Sequence, residues 1–508
     1  MMNRRTFLAA AALAGAVPGA ATAPRRDPPP LPVPPLRDAR ELRGLRLAVQ
    51  AGEAALLGGV ASRTLGYDGA YLGPTLRVHE GDEVPVEVAN RLQEATTVHW
   101  HGLVVPGDVD GGPHQAIAPG STWWPRLPVA QPAATLFYHS HVHDRTAEQV
   151  YAGLAGVLIV SDAAEQGLEL PTDYGVDDLP LVLQDRAFDR DGRLAYTESP
   201  MTLMHGMRGD VILVNGAAQP VAVVPPSLVR LRLVNGANAR LFRLSFGDRR
   251  SFWWIAGDSG LLAAPVQRQT IDLGPGERAE LLVDFSRGGA VDLQTAADPN
   301  LGMMARMMGR GMSGAAGNGA QVLRFEPQAE RAGRVHKLPS QLTAQAPIDP
   351  ARAVRRRQLT LTMGMPMGMG GMGGMGGMMG GMRAPRNGAG RSDGGPGAGR
   401  GVHGIDGRAF DMNRIDQQVR LGDIEIWEVR GEMMAHPFHI HGVRFQVLRR
   451  GGRAAGSEDQ GWRDTVMVED PVELLVQFTQ PARSAPFMYH CHILEHEDNG
   501  MMGQFSVA

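Results

Sequence analysis

The sequence predicts an all-β chain divided into several domains, and three observations carry that prediction. At 508 residues the chain exceeds what one ordinary core organises, and the usual domain size suggests about three units. Gly (66) and Pro (36) are abundant while aromatics are scarce, a balance that favours many short strands and turns over long helices. Segments such as Glu83 to Asn90 alternate apolar and polar residues, the period of a half-buried strand. Net charge is only -3, which gives no basic surface for nucleic acid and none is expected as a partner.

The first residues read as an address. Asn3-Arg4-Arg5-Thr6-Phe7-Leu8 is a twin-arginine signature, followed by an Ala-rich apolar run to Val17 and a small-residue end at Ala21-Thr22-Ala23. Residues 1–23 are therefore expected to be a signal peptide for export to the periplasm. The apolar run is too short to be a permanent membrane anchor. Export invites disulfides, yet the chain has a single Cys, which suggests a thiol occupied by metal. Residues 24–44 follow as a tether, Pro-rich from Arg25 to Pro35.

A first domain is expected over 45–165. It contains Thr97-Val98-His99-Trp100-His101-Gly102 and Phe137-Tyr138-His139-Ser140-His141-Val142-His143-Asp144, both strand-like with His at i, i+2, and ends on the apolar run Gly153 to Val160. A second domain, 175–330, has strands at Pro180 to Gln184, Val229 to Asn235 and Ala279 to Phe285 but no close His pair. It reads as a spacer. Within it Met303, Met304, Met307, Met308 and Met312 suit either a small buried helix face or metal contact.

A third domain is expected over 355–508, interrupted by an insertion at about 363–404. Met363 to Met382 holds nine Met among Gly, with no Leu, Ile, Val or Phe to make a core. Thioethers on a Gly-rich chain suit Cu(I). Further strands are expected at Glu425 to Arg430, Phe445 to Leu448 and Leu474 to Phe478.

The chemistry is concentrated near the C-terminus, in His490-Cys491-His492-Ile493-Leu494-Glu495-His496-Glu497-Asp498-Asn499-Gly500-Met501. A lone Cys is commonly an inert small hydrophobe, but this one is flanked by two His, with a third at Cys+5 and a Met at Cys+10. Thiolate, two imidazoles and a weak axial thioether form the blue-copper set. His436-Pro437-Phe438-His439-Ile440-His441 supplies the second imidazole. On a strand Cys491 faces one way while His490 and His492 face the other, towards a second metal site. An isolated HxH pair would suit zinc as well. Setting aside His436, Cys491, His496 and Met501, however, leaves eight His in four i, i+2 pairs, enough imidazoles for three coppers.

In the order and spacing of these four motifs the chain resembles the multicopper oxidases over nearly its whole mature length. Within them it is most similar to the exported bacterial copper-tolerance branch, the copper efflux oxidases, through Glu497-Asp498-x-Gly500-Met501-Met502, the twin-arginine leader and the Met-rich insertion. The resemblance implies three cupredoxin-like Greek-key β-barrel domains and four copper ions. It assigns His436, Cys491, His496 and Met501 to type 1 copper and His99 and His439 to type 2. Of the type 3 pair, one copper takes His101, His139 and His492, the other His141, His441 and His490. His143 lies outside the family pattern.

Dioxygen is the implied acceptor, reduced by four electrons to water, with electrons passing through Cys491 to His490 or His492. Asp110 and Glu497 match the family's acidic proton relay. Met363, Glu432 and Met434 match the place where the copper-tolerance branch docks Cu(I), although Gly364 and Gly368 stand where an acid is expected. The implied activity is Cu(I) oxidation in copper homeostasis, with weaker turnover of phenolic donors, by a monomer. A laccase-type phenol oxidase and an exported copper-sequestering protein are the alternatives.

Overall fold

The computed structural model describes residues 28–299, 319–331, 333–342, 347–364 and 403–508. The leader, the Met303 to Met312 group and most of the Met/Gly insertion lie outside the described residues. Three sheet pairs follow one another along the chain, each enclosing its own apolar core. Among the described residues no helix is long and apolar enough to cross a membrane.

In the first pair, the sheet ordered Leu36–Asp38, Thr75–His79, Ala155–Ser161, Ala134–His139, His99–His101 faces one built on Ser62–Tyr67, Leu45–Ala54 and Glu83–Asn90. The expected alternation in Glu83–Asn90 is seen directly: Val84, Val86 and Val88 are buried while Glu83 and Pro85 are exposed. Burial of one face per strand is what fixes the register here. The middle pair is centred on Asp178–Phe188, Leu228–Asn235 and Arg278–Asp284, packed against Phe242–Phe246, Val291–Thr295 and Ala320–Pro327.

In the third pair, Arg355–Met363, Ile424–Gly431, Val472–Gln477 and Arg444–Arg450 face Met502–Val507, Ala482–Cys491, His436–Ile440 and Thr465–Val468. The sequence reading lets the insertion interrupt this domain. The described residues on either side of it, Met363 and His403, stand opposite one another on neighbouring antiparallel strands of one sheet.

Eight elements position the site: β1 (His99–His101), β2 (Ala134–His139), α1 (Pro200–His205), β3 (Arg278–Asp284), β4 (His436–Ile440), β5 (Thr465–Val468), β6 (Ala482–Cys491) and α2 (Leu494–Asp498). The short helix α1 starts on a capping box, with Ser199 Oγ accepting from the Thr202 N–H and Thr202 Oγ1 from the Ser199 N–H.

Candidate metal centre

Strand register separates two groups of ligands. β4 and β6 pair antiparallel with Phe438 opposite Cys491 and His439 opposite His490. Residues directly opposite share a face, so Cys491, Phe438 and His436 point into the core of the third domain, while His439 and His490 point away from it. α2 then brings His496 back over Cys491. Cys491 Sγ lies 3.5 Å from His436 Nδ1 and 3.6 Å from His496 Nδ1. The Met501 carbonyl accepts the Cys491 N–H at 3.1 Å, which holds the buried Met501 beside them.

The outer nitrogen of each imidazole is tied to backbone. His436 Nε2 donates to the Glu432 carbonyl (2.9 Å) and His496 Nε2 to that of Met204 (3.2 Å). Fixing the proton on Nε2 turns both Nδ1 lone pairs towards the sulfur, as a ligand set requires. Burial pushes the Cys491 thiol up and holds His436 down to about 4. A soft metal that displaces the thiol proton is what this buried set fits.

The other eight His converge where the first and third domains meet. β1 and β2 pair with His99 opposite His139. His101 Nδ1 lies 3.4 Å from His139 Nε2, and His490 Nε2 lies 3.2 Å from His141 Nε2 and 3.1 Å from His441 Nε2. Outer nitrogens again meet acceptors: Nδ1 of His99 the Asp110 carbonyl (3.0 Å), of His139 the Ser140 carbonyl (2.8 Å), of His439 the Asp464 carbonyl (2.9 Å), of His441 the Asp110 carboxylate (2.8 Å), and of His490 the Cys491 carbonyl (3.0 Å). His101 is reversed, with Nε2 towards Asp464 Oδ1 at 3.2 Å.

Inside the cluster, Nε2 of His99 and of His439 and both ring nitrogens of His492 are buried with no hydrogen-bond partner. Such an orphan costs about 1–3 kcal/mol. Several in one place are the mark of a site made for metal. Burial, then neighbouring imidazoles, hold His101, His141 and His492 well below the ordinary range, and burial holds His439 down to about 3. Burial thus favours the neutral, ligating form of these four rings.

The predicted acids stand against this cluster. Asp110 sits in a turn that needs Gly111 at φ +84°, where any side chain would strike the Val98 carbonyl. Glu497 lies between His141 Nδ1 (3.3 Å) and His490 Nδ1 (3.1 Å). His143 is elsewhere, partly exposed beside Asp144.

Two parts of the arrangement were not read from the sequence. Asp464, fully buried, receives the Arg278 guanidinium on both oxygens (2.6 and 2.5 Å) while serving His101 through its carboxylate and His439 through its carbonyl. Burial alone would raise the Asp464 carboxyl; Arg278 holds it far below the usual range. Arg278 opens β3, and the neighbouring Gly276 (φ +83°) lies against the His492 ring. The middle domain is therefore more than a spacer, since it reaches the cluster here and the Cys491 group through Met204. Arg278 heads a strand that also carries Glu280 and Asp284, so its charge alone was no signal. Asp464 had none.

Above the Cys491 group, between the second and third domains, lies a cleft of about 1220 Å³. Met363 and Met434 both line it. Glu432 is exposed and its carboxylate accepts the Met363 N–H at 3.1 Å, so the three predicted substrate residues come together.

Family models described as multicopper oxidase match residues 48–165 and 387–508. Cell division protein FtsP of Yersinia pestis is 37% identical over 99% of this chain and 98% of its own length. Among solved structures, a laccase-like multicopper oxidase CueO from Ochrobactrum sp., described as having oxidase activity towards lignin model compounds and lignosulfonate, is 38% identical with a TM-score of 0.81, over 94% of this chain and 100% of that one. A Campylobacter jejuni multicopper oxidase described as a metallo-oxidase is 27% identical, TM-score 0.77, over 95% and 96%.

Proposed function

This chain belongs to the multicopper oxidase family, and we propose on that basis that it oxidises Cu(I) to Cu(II) at the expense of dioxygen. Four Cu(I), one dioxygen and four protons give four Cu(II) and two waters, and phenolic donors are turned over more slowly. The observation that carries the reading is the complete ligand set: ten imidazoles, one thiol and one thioether, all buried in two groups. Bound copper would supply one-electron transfer and the four-electron reduction of dioxygen.

His436, Cys491, His496 and Met501 would hold the type 1 ion, His99 and His439 the type 2, and the remaining six His the type 3 pair. Cys491 is bonded through its own backbone to His490 and His492, so one strand end joins the two groups. Asp110 and Glu497 would hold and pass protons at the cluster, a role supported by their contacts with His441, His141 and His490. Met363, Glu432 and Met434 would dock the substrate Cu(I) beside His436, whose Nε2 already bonds the Glu432 carbonyl. The leader at Arg4-Arg5 directs the folded protein to the periplasm under this reading.

The cleft volume favours a second reading, since about 1220 Å³ admits a bulky phenol, and the Ochrobactrum protein is described as acting on lignin model compounds. Dioxygen uptake by copper-loaded protein, with Cu(I) and a bulky phenol compared as donors beside the visible spectrum, tests both. A blue protein faster with Cu(I) supports the cuprous oxidase; one faster with the phenol is a laccase. Absence of both blue colour and uptake refutes the oxidase and leaves a copper sink or a non-catalytic protein of this fold, a role the FtsP relatives' name would suit.

A further inference from the structure

The cleft has a second wall of soft donors, and it comes from the middle domain. On α1, Met201 and His205 are four residues apart and share a face, and both line the cleft together with Met204. Met363 and Met434 line the same cleft from the third domain. Thioethers and an imidazole are a donor set that prefers Cu(I) to Cu(II). His205 is half-buried, and burial followed by Arg208 lowers its proton affinity, which keeps the ring available as a ligand.

α1 is also tied to the Cys491 group by two hydrogen bonds. His496 Nε2 donates to the Met204 carbonyl at 3.2 Å, and His403 Nε2 donates to the Leu203 carbonyl at 2.8 Å. The His403 ring sits 4.9 Å from that of His496. His436 has the same relation to the docking segment on the opposite side, through the Glu432 carbonyl. Each imidazole facing Cys491 is thus hydrogen-bonded to a backbone segment that carries soft donors into the cleft.

We infer that Met201 and His205 form a second Cu(I) site on α1, coupled through the Met204 carbonyl to His496. It rests on the cuprous-oxidase reading and gives the cleft two Cu(I) positions, one on each side of the Cys491 group. A Cu(I) held on α1 gives up one electron along the Met204–His496 contact and departs as Cu(II), for which thioethers have little affinity. Dioxygen is the final acceptor with the stoichiometry given above.

The test uses Ag(I), a redox-inert ion with the charge and softness of Cu(I), on the full copper-loaded chain. Bound silver is counted for wild type and for Met201→Leu/His205→Phe, alongside the blue band and its anaerobic bleaching by limiting Cu(I). The double variant should bind one Ag(I) fewer, keep its blue band and bleach more slowly than wild type. Equal silver counts and equal bleaching rates overturn the inference. Should the double variant lose its blue band, Met201→Leu alone decides the matter: the swap conserves volume at a half-buried position, and unchanged silver binding by it overturns the site. A wild type that binds the extra silver but consumes no oxygen with Cu(I) refutes the cuprous-oxidase reading and leaves the site standing.

Discussion

Replacing Asp464 should damage the protein in two separable ways, because one buried carboxylate serves both an ion pair and a ligand. In the native chain it holds both arms of Arg278 at 2.6 and 2.5 Å, accepts from Thr465 Oγ1 at 2.9 Å, and faces His101 Nε2 at 3.2 Å. Asp464→Ala takes the closer of two carboxylates from a fully buried guanidinium, leaving Asp258 Oδ1 at 3.7 Å, where loss of one partner of such a pair costs about 3–5 kcal/mol. Carbonyls of Thr135, Gly276 and Asp258 still accept from Arg278, so the lower end, about 3 kcal/mol, is expected. That is a large fraction of the roughly 5–15 kcal/mol a domain typically has.

The assay is guanidinium denaturation of copper-free protein for wild type, Asp464→Ala, and the double variant Asp464→Leu/Arg278→Met. The double variant removes both charges and should recover part of the loss, since buried Asp258 then loses its own contact with Arg278. Copper content and the type 2 paramagnetic signal are read in parallel. With the Asp464 carboxylate gone, His101 Nε2 keeps only the Thr465 hydroxyl at 3.1 Å, and affinity at the cluster should fall by about 10-fold, the lower end of the usual 10–100-fold, in every Asp464 variant, the double one included. A loss under about 1 kcal/mol for Asp464→Ala, or a double variant no more stable than the single one, would refute the ion-pair reasoning. Unchanged copper content would refute the role given to His101.

Three further outcomes follow from the same geometry. Cys491→Ser is nearly isosteric in a fully buried position, so the fold should persist while the blue band and donor oxidation vanish; retained oxidation would break the link between Cys491 and the reaction. Glu432→Gln with Met434→Leu should slow Cu(I) oxidation more than phenol oxidation, and equal losses would show general damage beside His436. For the copper-free protein, burial depresses His436 to about 4 and His439 to about 3 in the folded state from an ordinary 6.5. Their stabilisation is therefore complete above pH 6.5 and is lost as pH falls towards those folded values. Each contributes roughly 3–5 kcal/mol at most, so thermal unfolding of apoprotein should move sharply downward between about pH 6 and pH 4. A flat profile there, or one unaltered in His439→Gln, would contradict it.

Much of this architecture was legible because its signals are local and periodic. The HxH pairs at His99/His101 and His139/His141 declare a shared face through strand periodicity alone, and the pairing of His99 with His139 then brings the two together. Cys491 was legible for the opposite reason: odd and even positions of β6 face different ways, so a single cysteine between two histidines has to separate two groups. What stayed hidden depends on contacts between distant segments. Arg278 and Asp464 are 186 residues apart, and neither position carries a periodic signature. Met204 touches the site through its carbonyl, and a backbone contact leaves no trace in residue type.

That backbone contact bears on why the middle domain is there. A spacer would need only to hold the outer domains at a fixed distance, and its surface near the metal groups could be of any kind. Instead β3 delivers a buried arginine to an outer partner of His101, Gly276 packs on the His492 ring, and the Met204 carbonyl of α1 accepts the His496 Nε2–H. Ligands of both groups are thus braced by a domain that supplies no ligand to either group. Imidazole orientation is set by the outer hydrogen bond. It follows that a change in how the middle domain seats, such as loss of the Arg278–Asp464 pair, should disturb the His cluster before it unfolds anything. Loss of the type 2 signal at denaturant concentrations where the strand signal is still intact would show that order of events; simultaneous loss would mean that the three domains behave as one cooperative block and that the middle one has no separate hold on the site.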